Sequence, residues 1–168
     1  MNKNKLNEQV HTFGPIFDSN SEILILGTFP SVKSRENNFY YGHPRNRFWQ
    51  VIAMVYAEDI PITVEEKKEL LLRNKIALWD VIEKCDIAGS SDSSIRNVVP
   101  ADIGCMIKIS NIRRVFTNGA TAKKLYDRYI LKATGIEAVM LPSTSPANAA
   151  WRLEALVEEW RKQLLEGA

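Results

Sequence analysis

The chain has 168 residues, a formal net charge of +2 and a hydrophobic content of 45%. This length is enough for one hydrophobic core and short for two, so we expect a single domain over residues 1–168. The net charge is too small to indicate nucleic-acid binding by itself, since a strongly basic pI above about 9 is the usual sign. Any surface that binds nucleic acid must therefore come from local groups of basic residues.

The two cysteines, Cys85 and Cys105, cannot form a four-cysteine zinc site, and we expect both to be reduced thiols in or near the core. The first residues, MNKNKL, lack the apolar stretch of a signal peptide, and no segment is long enough to span a membrane. We therefore expect a cytoplasmic protein. Neither paired carboxylates nor histidine-rich metal spacing appears, so no metal and no cofactor is expected.

Short apolar runs alternate with longer helical patterns along the chain, which is typical of βα units. Four such units with right-handed crossovers predict an α/β fold, in which helices cover both faces of a four-stranded parallel sheet. In chain order, the predicted elements are a strand at residues 22–26, a helix at 48–56, a helix at 65–73 with a capping box of Thr63 and Glu66, a strand at 76–81, a polar loop at 89–94, a short helix after Pro100 with Asp102 near its start, a strand at 113–116, a helix at 120–129, a strand at 137–141 and a helix from Pro146 to about residue 165.

The first predicted strand ends in Gly27-Thr28-Phe29-Pro30-Ser31. A glycine allows a ligand to approach the backbone closely, and the amides of such a turn can bind an acceptor such as a base carbonyl. An ordinary turn between a strand and a loop is the alternative interpretation.

The segment FYYGHPRNRFW at residues 39–49 combines aromatic and basic side chains. Aromatic faces can stack on a flat heterocycle, and Arg45 and Arg47 can contact phosphates, so the segment indicates a nucleic-acid base as ligand. Adjacent side chains on extended backbone point in opposite directions, and we expect Tyr41, rather than Tyr40, to line the pocket. Solvated helix faces would also explain the two arginines.

Two further strand ends carry polar side chains. Asn118 follows the third strand, where it could bind a base edge or form a plain Asn-Gly turn. After the fourth strand, Ser143, Thr144 and Ser145 offer hydroxyls and amides to phosphate oxygens, although a capped helix start is the competing explanation. Asp80 also ends a strand, but we expect it to lie farther from the site, where it could orient a partner such as Ser91 or Arg96.

Three motifs, GTFPS at residues 27–31, YGHPRNRFW at 41–49 and LPSTSPAN at 141–148, together resemble the uracil-DNA glycosylase superfamily. Within it, the hypoxanthine-DNA (deoxyinosine) glycosylases are the most similar group and the mismatch-specific uracil-DNA glycosylases come next. The resemblance implies a three-layer α/β/α sandwich with the parallel strands in the order 2-1-3-4. It also implies that Tyr41 stacks on a flipped base.

The chain departs from many members of this superfamily at Phe29, where they carry an asparagine or aspartate that positions the attacking water. The catalytic groups must then lie elsewhere. Asn46 is the first candidate to place the water or the base, and a helix N-cap is its alternative role. His43 is the second candidate, as a donor to the base or sugar phosphate, unless it is only a turn residue.

The resemblance thus implies a DNA repair glycosylase that removes a deaminated base from double-stranded DNA, with hypoxanthine as the first choice of base. The three motifs contain no lysine that could form a Schiff base, so we expect a monofunctional, monomeric enzyme. Two alternatives stay open, namely a glycosylase for uracil or mismatches and a catalytically silent DNA-binding module of the same fold.

Overall fold

The computed structural model describes residues 5–166. The expectation of a chain start without a signal peptide falls partly on residues 1–4, which lie outside the described residues. In chain order, the elements are β1 (Asn7–Val10), β2 (Ile23–Gly27), α1 (Val32–Asn37), α2 (Phe48–Val55), α3 (Val64–Arg73), β3 (Ile76–Asp80), β4 (Ile82–Ile87), a 3₁₀ turn (Asp92–Ser94), β5 (Arg96–Pro100), α4 (Ile103–Lys108), β6 (Arg114–Asn118), α5 (Ala120–Tyr129), α6 (Leu131–Thr134), β7 (Ala138–Leu141), α7 (Leu153–Arg161) and a closing π-helical turn (Lys162–Glu166).

Four strands form a parallel sheet in the spatial order β3-β2-β6-β7. Counted along the chain among the parallel strands alone, this is the order second-first-third-fourth, as expected. Because all four strands run in the same direction, the loops that follow them open at one edge of the sheet. The expected α/β fold is confirmed, and this edge is where the site residues meet.

Alternate residues of β2 enter two different hydrophobic clusters. Ile25 packs in the cluster that includes buried residues of α2, α3 and α7. Leu24 and Leu26 point to the other face, where they pack with residues of α4 and α5. The sheet therefore lies between two helical layers, as the sandwich requires.

A second, antiparallel sheet was not anticipated from the sequence. Its order is β1-β4-β5, and a single residue, Val81, separates the end of β3 from the start of β4. The buried residues of β4 are Ile82, Cys85 and Ile87, and the other three residues are polar. Because two of the polar residues are adjacent, the alternation typical of a half-buried strand is interrupted and the sequence signal is weak. Since β1 pairs with β4, this sheet brings the start of the described chain to the functional edge.

The last helix begins later than expected. Pro146 was predicted as its first residue, but α7 starts at Leu153 with Arg152 as its N-cap. The intervening backbone forms turns, in which the amide of Asn148 donates to the carbonyl of Ser145 and that of Trp151 donates to Asn148. Both bonds join residues three apart, whereas an α-helix joins residues four apart. The loop after β7 is therefore longer than the sequence suggested.

Several local predictions hold. Thr63 and Glu66 form both halves of the capping box of α3, and Asp102 caps α4. Both cysteines are free thiols; Cys85 is buried, whereas Cys105 is exposed and not near the core as expected. Burial raises the pKa of the Cys85 thiol to about 11. Among the described residues, no helix has the length and apolar character needed to cross a membrane.

Candidate active site

A cavity opens at the carboxyl edge of the parallel sheet. Ten of the twelve expected site residues line it, and the exceptions are Arg45 and Arg47. The lining residues that the sequence predicted are Gly27, Thr28, Phe29, Tyr41, His43, Asn46, Asn118, Ser143, Thr144 and Ser145. Three segments that are distant in sequence therefore converge, as the parallel topology requires.

Thr144 joins these segments through its hydroxyl group. The hydroxyl donates to Oδ1 of Asn46 at 2.9 Å and accepts from Nδ2 of Asn118 at 3.0 Å. The backbone amide of Thr144 donates to Oδ1 of Asn118, also at 3.0 Å. Thr144 is completely buried. Its side chain thus has no exposed atom for a DNA phosphate, which corrects that part of the sequence-based expectation.

Asn46 lies one residue before Arg47, the N-cap of α2, and its side chain binds the first amide of this helix while it faces the cavity. Its Oδ1 accepts from the backbone amide of Phe48 at 2.9 Å, in addition to the hydroxyl of Thr144. Because both contacts come from donors, the atom that receives them is the oxygen, and its two lone pairs are used. The amide nitrogen makes no hydrogen bond to another described residue. Asn46 can therefore act toward a ligand as a donor.

The side-chain amide of Asn118 uses most of its hydrogen-bonding groups within the protein, so few are left to bind a base. Its Nδ2 donates to the hydroxyl of Tyr41 at 3.2 Å and to Thr144, so both donor hydrogens are occupied. The remaining capacity of Asn118 is one lone pair on Oδ1. Its clearest role in this structure is to connect Tyr41 with the loop after β7.

Tyr41 lies on strained backbone. Its φ of 54° is in the left-handed region, which is unfavourable for a residue with a bulky side chain. One face of its ring stacks on Phe48, with a centroid distance of 4.1 Å and an interplanar angle of 20°. Tyr40 also lines the cavity, although Tyr41 alone was expected there; it is buried and donates its hydroxyl to the carbonyl of Gly14. Such strain is commonly retained where it places a functional side chain.

His43 presents a defined nitrogen atom for ligand binding. Its Nδ1 accepts a hydrogen bond from the backbone amide of Arg45 at 3.1 Å, so the proton of the neutral ring is on Nε2. His43 is partly exposed and lines the cavity. The turn geometry and the donor role are thus compatible.

Arg45 and Arg47 have different environments. The guanidinium of Arg47 donates to the carbonyl oxygens of four residues in the loop after β7, namely Thr144, Ser145, Asn148 and Trp151. These bonds explain why the loop does not continue as helix. Arg45 is exposed, and its side chain makes no hydrogen bond or ion pair to a described residue.

Ser143 and Ser145 hold the loop locally through their oxygen atoms. The amide of Ser145 donates to Oγ of Ser143, and the amide of Ala147 donates to Oγ of Ser145. A hydroxyl that accepts in this way still has its own hydrogen to donate. Both side chains are therefore able to contact an acceptor such as a phosphate oxygen.

Asp80 lines the same cavity, although the sequence suggested a position farther away. The expected partners Ser91 or Arg96 are not used. Instead Oδ2 lies 2.8 Å from Nε2 of His11, with both side chains buried. The position of Asp80 at the cavity could have been predicted from the register of the parallel strands, because Asp80 is the partner of Gly27. His11 had no detectable signal, since the antiparallel sheet that carries it was missed.

Gly27 is required by this packing. A Cβ atom at this position would clash with Oδ1 of Asp80 and would lie 3.0 Å from the hydroxyl of Tyr41. Glycine is thus required at this position because any side chain would displace the buried carboxylate beside the cavity. Glycine also allows a ligand to approach the backbone closely.

Comparisons with known proteins agree with this architecture. Residues 15–165 match the Uracil DNA glycosylase superfamily. Two relatives, from Methanosarcina barkeri (strain Fusaro / DSM 804) and Methanosarcina acetivorans, are each named Hypoxanthine DNA glycosylase. Each is 37% identical over 138 residues, which cover 81% of this chain and 86% of the relative.

A solved structure is also similar to this chain. It is a solution NMR structure of a protein from Methanosarcina acetivorans that carries the provisional name uracil DNA glycosylase. The TM-score is 0.77 with 34% sequence identity, and the match covers 89% of this chain and 92% of the other. With the match to the superfamily over most of its length, the chain belongs to the uracil-DNA glycosylase superfamily.

Proposed function

We propose that this protein hydrolyses the N-glycosidic bond of a deaminated base that is flipped out of double-stranded DNA, with hypoxanthine as the preferred base. The observation that carries the proposal is the meeting of Tyr41 and the donor nitrogen of Asn46 in one cavity. The superfamily supplies the reaction class. The names of the two relatives at 37% identity support the choice of hypoxanthine.

The reaction breaks the bond between C1′ of the deoxyribose and the base nitrogen, and the electron pair leaves with the base. A water molecule then forms the new bond to C1′ and loses a proton, and the departing base anion takes up a proton, which leaves an abasic site and the neutral free base. The transition state therefore has positive charge on the sugar and negative charge on the base. Groups that donate hydrogen bonds to the departing base lower the barrier, since they interact most strongly when the charge has developed.

Asn46 is suited to stabilise the departing base. Its oxygen is occupied by Phe48 and Thr144, so the nitrogen is the part available to the ligand. An amide nitrogen can donate to a carbonyl oxygen or a ring nitrogen of the base but cannot accept a proton from water. We therefore assign Asn46 to the leaving base rather than to activation of the water. His43 offers a second donor through Nε2.

Base binding is assigned to Gly27, Thr28, Phe29 and Tyr41, with Asn118 in support. Phe29 contributes an apolar surface and its backbone amide, which donates to no other described residue. Tyr41 offers the ring face opposite Phe48 for stacking. Flipping costs a few kcal/mol and is easiest for mispaired bases, so deaminated bases are favoured before the chemical step.

DNA binding outside the cavity is assigned to Arg45, Ser143 and Ser145. Arg45 provides an exposed cation beside the cavity, and the two serines retain donor hydrogens. Phosphate contacts of this kind position the duplex but carry no sequence information.

We also infer that one chain forms one domain and acts as a monomer in the cytoplasm. The single residue between β3 and β4, which joins the two sheets, supports one domain.

The proposal predicts a ranking of substrates. Duplexes that carry one hypoxanthine, uracil, xanthine or adenine base should be compared under single-turnover conditions, with release of the free base as the readout. Hypoxanthine should be released fastest and adenine not measurably. Faster release of uracil would assign the protein to the uracil-specific alternative. Binding of DNA without release of any base would identify the silent module, and would contradict the proposal.

Asn46→Asp is predicted to lower the single-turnover rate on the order of 100-fold, because a carboxylate cannot donate to the departing base. The carboxylate still accepts from Phe48 and Thr144, so the melting temperature should stay near the wild-type value. Asn46→Ala is the matched comparison: it loses the donor and the cap, with a further stability cost of about 1 kcal/mol. A folded Asn46→Asp enzyme with the normal rate would remove Asn46 from the chemistry.

Arg45→Ala is predicted to weaken binding equally for all sequences and to reduce the slope of log K against log salt by about 1. Arg47→Ala is the control, because its guanidinium binds loop carbonyls and its loss should lower thermal stability. Measurements of affinity at several salt concentrations distinguish the two variants. An unchanged slope for Arg45→Ala would show that Arg45 contacts no phosphate.

A further inference from the structure

Asp80 is a buried carboxylate whose second oxygen lacks a protein partner among the described residues. Its Oδ2 is bound by Nε2 of His11 at 2.8 Å, and the side chain is 6% exposed. Oδ1 forms no hydrogen bond to a described residue, and it lies over Gly27 and near the hydroxyl of Tyr41. Asp80 lines the cavity, so a ligand bound there can reach Oδ1. A ligand that displaces water from this charged oxygen must supply a hydrogen-bond donor to it, because burying a charged oxygen without a partner is costly.

His11 fixes the orientation of this carboxylate. Its side chain is 3% exposed, and its ring packs among the rings of Phe13, Phe29 and Tyr40 at centroid distances of 4.5, 6.1 and 5.9 Å. Nδ1 of His11 has no hydrogen-bond partner within the described part of the chain. The ring therefore has one polar contact, and this contact directs the other carboxylate oxygen toward the cavity.

The chemistry of a carboxylate distinguishes hypoxanthine from adenine and uracil from cytosine. Adenine and cytosine have a lone pair on the ring nitrogen of their pairing edge, whereas hypoxanthine and uracil have an N–H group there, beside a carbonyl, as guanine, xanthine and thymine also do. An ionised carboxylate accepts hydrogen bonds and cannot donate them. It would thus bind hypoxanthine or uracil and repel the lone pair of adenine or cytosine.

We propose that Oδ1 of Asp80 accepts a hydrogen bond from the ring N–H of the flipped base, which is N1–H in hypoxanthine, and that His11 is the positioning residue that holds it there. The inference rests on the proposed glycosylase function and identifies the residue that selects the substrate. The charge of Asp80 also acts on its neighbours: after burial, it is the next cause that raises the pKa of the Tyr40 and Tyr41 hydroxyls. Both phenols therefore stay neutral beside the carboxylate.

The test compares hypoxanthine with N1-methylhypoxanthine, which lacks the N–H, in otherwise identical duplexes. For the wild-type protein we expect single-turnover release of the methylated base to be slower on the order of 100-fold or more, because the methyl group blocks the bond and leaves the carboxylate unpaired. Asp80→Ser removes the charge and leaves space for the methyl group. In this variant, the ratio of the release rate of hypoxanthine to that of the methylated base should fall below about 10, while release of hypoxanthine becomes slower. An equal ratio in both proteins would overturn the inference, since a structural or water-placing role slows both substrates alike.

Asp80→Asn keeps the shape of the side chain and protects the test against a folding defect. Because His11 donates to the amide oxygen, the NH₂ group faces the N–H of the base, and release of hypoxanthine should fall on the order of 100-fold at a near-normal melting temperature. Normal release by Asp80→Asn would contradict the proposal.

Variants of His11 test its positioning role. His11→Gln can still donate to Oδ2 of Asp80 and should retain most of the wild-type ratio, whereas His11→Leu should lose it. Equal ratios in these two variants would remove His11 from the proposal. A wild-type protein that releases no base at all would overturn the proposed function itself, whereas normal release of hypoxanthine with an unchanged ratio overturns only the role of Asp80.

Discussion

The hydroxyl of Thr144 is the contact on which the site depends. It donates to Asn46 and accepts from Asn118, so it joins the segment between α1 and α2, the end of β6 and the loop after β7. Thr144 is fully buried, and a buried network of this kind is stable only if each member is satisfied. The hydroxyl also occupies the oxygen of Asn46, which leaves the nitrogen for the ligand. The arrangement thus determines which end of the Asn46 amide can take part in the reaction.

The site is completed by residues from both sheets. The parallel sheet supplies Gly27 and Asp80 in register, and the antiparallel sheet brings His11 to the end of β3. Asn46 then faces the cavity as a donor and Asp80 as an acceptor. A deaminated purine has a carbonyl acceptor beside a ring N–H donor, so its pairing edge matches groups of these two kinds. The second sheet therefore has a functional role besides packing.

Much of the fold could be predicted because each parallel strand contains a short apolar run, and the common direction of the strands brings ten predicted residues to one cavity. The antiparallel sheet could not be predicted, since β4 is short and its adjacent polar residues Glu83 and Lys84 interrupt the alternation that marks a half-buried strand. Burial of Thr144 and the use of Arg47 as a clamp depend on long-range contacts that local sequence does not encode. The same is true of the pair formed by His11 and Asp80, which are 69 residues apart.

The central claim is that Thr144 acts on catalysis through Asn46, and a double-mutant cycle in the single-turnover rate on hypoxanthine-containing DNA tests it most directly. Thr144→Val removes the hydroxyl at nearly constant volume, and Thr144→Ser retains it. We expect Thr144→Val to slow release about 10-fold or more, Thr144→Ser to stay near the wild-type rate, and the double variant Thr144→Val/Asn46→Asp to be no slower than Asn46→Asp alone. If the two effects instead multiply in the double variant, Thr144 does not act through Asn46, and the claim is contradicted.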